Sequence, residues 1–68
     1  MIDIDKLKKM RLERKMFQRE VAEELGISRV MYTLIENGKR NPSFGTMQKM
    51  VEFFGEEAKD IFFGGEVA

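Results

Sequence analysis

Only two residues, Gly26 and Ile27, lie between two short stretches that both read as helix, and this gap restricts the fold more than any other feature of the chain. Upstream, Val21, Ala22 and Leu25 share one helical face. That pattern stops at Gly26, the residue type best able to adopt a positive φ after a helix C-terminus. A helix from Gln18 to Leu25 is expected. Downstream, Ser28 is a good N-cap for a segment from Arg29 to Glu36, whose buried side carries Tyr32 and Ile35 and which ends at Asn37-Gly38. With a small residue, Ala22, in the first helix and a glycine in the turn, the two helices cross steeply rather than packing as an antiparallel hairpin. The N-terminal, outward face of the second helix then protrudes.

The remaining segments follow the same 3.6-residue period. Leu7, Met10, Arg11 and Arg14 form one face of a helix expected from Asp5 to Lys15, with Asp3 or Asp5 as its N-cap. After a loop from Lys39 to Pro42, Ser43 opens a fourth helix with an apolar stripe of Phe44, Met47, Met50, Val51 and Phe54, closed by Gly55. Glu56 to Phe63 supplies about two further turns, with Ile61 and Phe62 folding back to the core. No strand pattern or internal repeat competes. The expected architecture is therefore all-α, a compact bundle of five short helices in one domain over residues 1–68, because a chain this short has surface enough for only one core. Phe17, just before Gln18, cannot cap its helix with a side-chain oxygen and forgoes about 1 kcal/mol. A hydrophobic staple or packing between helices is the expected compensation.

Composition removes several classes of function. With no cysteine and no histidine, the chain has no disulfide framework or thiolate zinc site and lacks the commonest metal ligand and general base. Its carboxylates are scattered over helix faces, so no catalytic constellation forms, and neither an enzyme nor a cofactor is expected. The longest apolar runs, such as Phe53-Phe54 and Ile61 to Phe63, fall far short of the roughly 20 residues of a membrane span. A cytoplasmic protein without a membrane partner is expected. The formal net charge is zero, yet residues 1–19 carry seven basic and three acidic side chains, residues 20–40 three and four, and residues 41–68 two and five. The N-terminal end suits phosphate, although Lys6, Lys8, Lys9 and Lys15 read equally well as the solvated face of a helix.

The run from Gln18 to Ser28, QREVAEELGIS, followed by Ile35 to Ser43, IENGKRNPS, resembles the phage repressor and Cro-type helix-turn-helix domains. The resemblance covers about Leu7 to Phe62. It implies a lambda-repressor-like DNA-binding fold with its helix-turn-helix at residues 18–37, and a sequence-specific transcriptional regulator that lays its recognition helix, 29–36, in a major groove about 12 Å wide. Gln18 would reach a phosphate, and Asn37, Lys39, Arg40 and the Ser43 to Phe44 amides would hold the other side of the groove. As alternatives, Gln18 is an exposed helix-start residue, Asn37 a C-cap, and Lys39 and Arg40 are simply solvated.

Base reading would fall on Ser28, Arg29, Val30, Thr33 and Leu34, with Met31 at the margin. Arg29 is the best single candidate, through bidentate contact to guanine O6 and N7. Val30, Met31 and Leu34 bring no hydrogen bonds where family members often place polar residues. They pack on thymine methyl groups, form an apolar patch for a protein partner, or are partly buried. Arg11 and Glu36 lie on core-facing sides of their helices and match positions that form a buried ion pair in the family. The expected partner is double-stranded DNA with a palindromic operator, bound by a homodimer held through C-terminal apolar residues, Phe53 and Phe63 first. No small-molecule ligand is expected, which leaves concentration, a partner protein or proteolysis as the means of regulation. The rival reading is a helix-turn-helix used for protein contact, as in antitoxin- or antirepressor-like modules.

Overall fold

The computed structural model describes residues 2–63, with the side chain of Phe63 left out of the description. Five helices, α1 (Ile4–Glu13), α2 (Gln18–Leu25), α3 (Arg29–Glu36), α4 (Phe44–Phe54) and α5 (Lys59–Phe63), are joined by short loops, with a 3-10 turn at Glu56–Ala58. The fold is all-α. Local chemistry explains where the helices start. Asp3, Ser28 and Ser43 each accept a hydrogen bond from the backbone N–H three residues on, at 3.0, 3.0 and 3.2 Å, satisfying donors that the first helical turn leaves orphaned.

The helix-turn-helix closes as its composition requires. Gly26 takes φ 71°, and the Gly26 and Ile27 amides return to the carbonyls of Glu23 and Ala22 at 3.1 and 3.0 Å. A methyl group at Gly26 would meet nothing within 4 Å, so backbone conformation, not space, calls for glycine here. Ala22 is fully buried where α3 crosses. The core beneath the crossing consists of Leu7, Met10, Val21, Leu25, Tyr32, Ile35, Met50, Phe54, Ala58 and Ile61. Its two ends are tied together by the Asp3 amide, which donates to the Ile61 carbonyl at 2.7 Å.

Three expectations change. First, α1 begins at Ile4 and ends at Glu13 rather than running from Asp5 to Lys15, because Lys15 adopts φ 56° and donates its N–H back to the Leu12 carbonyl at 2.9 Å. Arg14 accordingly leaves the core-facing row. Its guanidinium lies 5.5 and 5.2 Å from the Phe53 and Phe54 ring centres and donates to the Phe54 carbonyl at 2.9 Å, which caps the C-terminus of α4. Second, Phe44 is 73% exposed. Among the described residues an open apolar groove of about 350 Å³ runs along α4, with Phe44, Met47 and Val51 on its wall.

Third, Phe17 is 63% exposed and does not join the core among the described residues. The missing cap is offset instead by the Glu20 carboxylate, which accepts from the Phe17 N–H at 2.8 Å, half of a capping box. The Arg19 guanidinium, 5.0 Å from the ring centre, covers the Phe17 face.

The left-handed Lys15 carries a strain that glycine would not. Lys15→Gly is expected to leave stability unchanged or raise it by up to about 1 kcal/mol, the relief being partly offset by glycine's greater unfolded-state entropy. Thermal melting checks this, and a clear drop in Tm contradicts it.

Candidate nucleic-acid interface

The Gly26 turn and the packing of α2 against α3 set out the candidate residues in two groups. Ser28, Arg29 and Val30 occupy the exposed start of α3, with Val30 65% exposed. Arg29 makes no hydrogen bond or ion pair with the described residues and stands into solvent. Ser28 accepts the Met31 N–H and keeps its own hydroxyl proton for another acceptor. One turn on, Thr33 and Leu34 are half-buried, and Met31, also half-buried, packs against the core. Of the apolar trio, then, Val30 alone is offered fully to a partner.

The second group flanks this face. Asn37, Lys39 and Arg40 are exposed in the loop after α3, where Asn37 is the C-cap and Gly38 turns the chain at φ 75°. Ser43 is exposed at the start of α4, but its hydroxyl is engaged twice, accepting from the Thr46 N–H and donating to Thr46 Oγ1 at 3.0 Å. What Ser43 offers a phosphate is therefore the orphaned amides of the helix N-terminus rather than its side chain.

Behind the surface lies a polar network linking three helices. Arg11 grips Glu36 with both arms, Nε to Oε2 at 2.9 Å and Nη2 to Oε1 at 2.8 Å, and its Nη1 donates to the Met16 carbonyl at 2.9 Å. Both residues are buried. Gln18 Nε2 donates to the same Glu36 Oε1 at 3.1 Å, and Gln18 Oε1 accepts the Thr33 hydroxyl at 3.0 Å. Gln18 is thus half-buried with its amide engaged inward. The Tyr32 hydroxyl is buried beside this cluster without a well-formed hydrogen bond among the described residues, and burial together with the neighbouring carboxylate pushes the phenol above its usual range.

Hydrogen bonding to Glu36 raises Arg11 above its ordinary value, so the guanidinium stays charged. Burial by itself would raise Glu36, but Arg11, the neighbouring Tyr32 hydroxyl and Gln18 together outweigh it and hold the carboxyl below the ordinary range. A carboxyl lowered in the folded state contributes stability that is present above its unfolded value and lost as pH falls through its folded value. Tm is therefore expected to fall as the pH drops through and below the ordinary carboxylate range, and more steeply in the wild type than in Glu36→Gln. Equal slopes in the two proteins would remove Glu36 as the cause.

Periodicity and spacing did not reveal the Gln18–Thr33 bond, since it joins residues fifteen apart whose approach is set by the crossing angle. Nor did they reveal Arg14 capping α4 from forty residues away. Glu20, three residues after Phe17, was the visible signal for the half capping box.

Two short helices crossing at a glycine turn, with the start of the second exposed and flanked by basic loop residues, define a helix-turn-helix DNA-binding domain. Residues 7–61 match the helix-turn-helix family model, and the chain belongs to this family, in its Cro-type branch. It is 40% identical over 58 residues to an uncharacterised helix-turn-helix-type transcriptional regulator of Methanocaldococcus jannaschii, covering 85% of this chain and 88% of that one. Over 49 residues it is 49% identical to a second uncharacterised regulator of this type, from Bacillus subtilis, covering 72% of this chain and 64% of the relative. Identity to the transcriptional repressor of the cryptic phage CTXphi of Vibrio cholerae is 34% over 50 residues, 74% of this chain but 45% of the repressor. No solved structure matches the chain. The protein is a DNA-binding transcriptional regulator, and no described helix is long and apolar enough to cross a membrane.

Proposed function

We propose that this regulator acts in the cytoplasm as a repressor-like homodimer on a palindromic operator, with α3 in the major groove of each half-site. The observation that carries this reading is the exposed start of α3, where Ser28, Arg29 and Val30 project together while the rest of the helix is anchored by Tyr32, Ile35 and Glu36. Arg29 supplies the bidentate contact to guanine, and Val30, with the edge of Leu34, meets thymine methyl groups. Asn37, Lys39, Arg40 and the amides at Ser43 bracket the reading face and take phosphates, and Gln18 joins them through the one amide hydrogen that Glu36 does not use. Phe53 is occupied by Phe54, edge-on at 4.9 Å, and by Arg14. An apolar surface open to a second copy among the described residues is the groove along α4 with Phe44, Met47 and Val51, while the Phe63 side chain lies outside the description.

Selection from random-sequence duplexes at two salt concentrations tests the reading. The expected result is a symmetric site with half-sites about 34 Å apart and an affinity that falls steeply with salt. Selection of an asymmetric single site would overturn the homodimer. No binding even at low salt would favour a helix-turn-helix used for protein contact.

A further inference from the structure

The network behind the reading face fixes the direction in which each of its hydrogen bonds runs, and that direction reaches the surface at Thr33. Ionised Glu36 only accepts, and Arg11 saturates much of it. The Gln18 amide must therefore turn its NH₂ toward Glu36, which sends its carbonyl oxygen the other way, to Thr33. A carbonyl oxygen also only accepts, so Thr33 must donate its single hydroxyl proton to it. What remains on Thr33 Oγ1 is lone pairs. Ser28, one turn earlier on the same helix, is the opposite case, since it accepts from the Met31 N–H and keeps its proton.

We propose that Thr33 is an acceptor-only reader of the major groove, selecting an exocyclic amino group, adenine N6 or cytosine N4, and that the Glu36–Gln18 bond imposes this polarity. The assignment rests on the reading above, in which α3 enters the groove. Phosphates present acceptors alone, so Thr33 cannot bond one without surrendering Gln18. The keto oxygens of guanine and thymine and the purine N7 are acceptors as well, and are refused for the same reason. Gln18 is thereby a positioning residue for base selection, in addition to any phosphate contact of its own.

The test uses the full chain and its selected site. Comparison of the sites selected by the wild type and by Thr33→Val identifies the base pair that residue 33 meets. In that pair the amino base is replaced by an analogue lacking only the amino group, purine for adenine or 2-pyrimidinone for cytosine. In separate duplexes the keto base is replaced by one without the keto oxygen, such as 2-aminopurine for guanine, whose accompanying loss of the N1 proton affects both proteins alike. Deleting the amino group is expected to weaken wild-type binding about 2- to 12-fold more than it weakens Thr33→Val; deleting the keto oxygen should weaken both proteins equally. In Gln18→Ala the freed hydroxyl can donate, and sensitivity to the keto oxygen should appear.

Circular dichroism establishes that both variants are folded. Coupling of Thr33 to the keto oxygen in the wild type, coupling to neither group, or an unchanged pattern in Gln18→Ala would each overturn the assignment. If the wild type selects no site at all, the DNA reading itself fails and the assignment falls with it.

Discussion

Arg11→Ala is expected to cost about 3–5 kcal/mol of folding stability, against a total of roughly 3–10 kcal/mol for a domain of this size. The reason is not the attraction lost but the charge left behind. Glu36 is buried, and Arg11 supplies two of its three hydrogen bonds from side chains. Without Arg11 the carboxylate keeps the Gln18 hydrogen bond and the neighbouring Tyr32 hydroxyl but no positive partner among the described residues, and must either remain ionised in an apolar setting or take up a proton. The Met16 carbonyl also loses its donor, which loosens the turn between α1 and α2.

Much of the Arg11→Ala population should be unfolded at physiological temperature, while the fraction that folds keeps the wild-type preference at the base pairs met by Arg29 and Val30, which have no bond to Arg11. An unchanged melting temperature would refute this. Replacing both partners by apolar residues of similar volume, Arg11→Met with Glu36→Leu, should recover much of the loss, since no uncompensated charge remains.

Arg29→Ala should separate binding from folding. The side chain is exposed and makes no hydrogen bond or ion pair with the described residues, and it sits in the first turn of α3, which contains no acidic residue. A positive charge there opposes the helix dipole, so its removal is expected to leave Tm unchanged or slightly raised. On DNA the same change should remove about 1–3 kcal/mol of discrimination, roughly a 5- to 150-fold loss of preference, at one base pair in each half-site. Lys39→Ala should instead weaken all sequences alike and lower the salt dependence by about one ion. A uniform loss for Arg29→Ala, with a reduced salt slope and no relaxed position, would reassign Arg29 to a phosphate.

The scaffold was legible because its determinants are local. The periodicity of Val21, Ala22 and Leu25, the glycine at position 26 and the caps at Ser28 and Ser43 each act within one or two turns, and α2 and α3 start and stop where those residues predict. Boundaries slipped where a residue departed from its usual conformation, as when left-handed Lys15 ended α1 early. Burial was misjudged where it depended on the reach of a distant element. Phe44 has the spacing of a core residue, yet it is exposed, because none of the described residues covers it.

By itself the sequence determined the order and type of the helices, the steep crossing at Gly26 and the face of α3 that meets solvent, because these follow from spacing, capping and the special freedom of glycine. Only the tertiary structure decided how Gln18 is used. The same glutamine could extend to solvent or turn inward, and it turns inward because the crossing brings Glu36 and Thr33 within hydrogen-bonding distance on either side of its amide. The gap between Gly26 and Ser28 thus sets the angle, and the angle sets which side chains behind the reading face can reach one another.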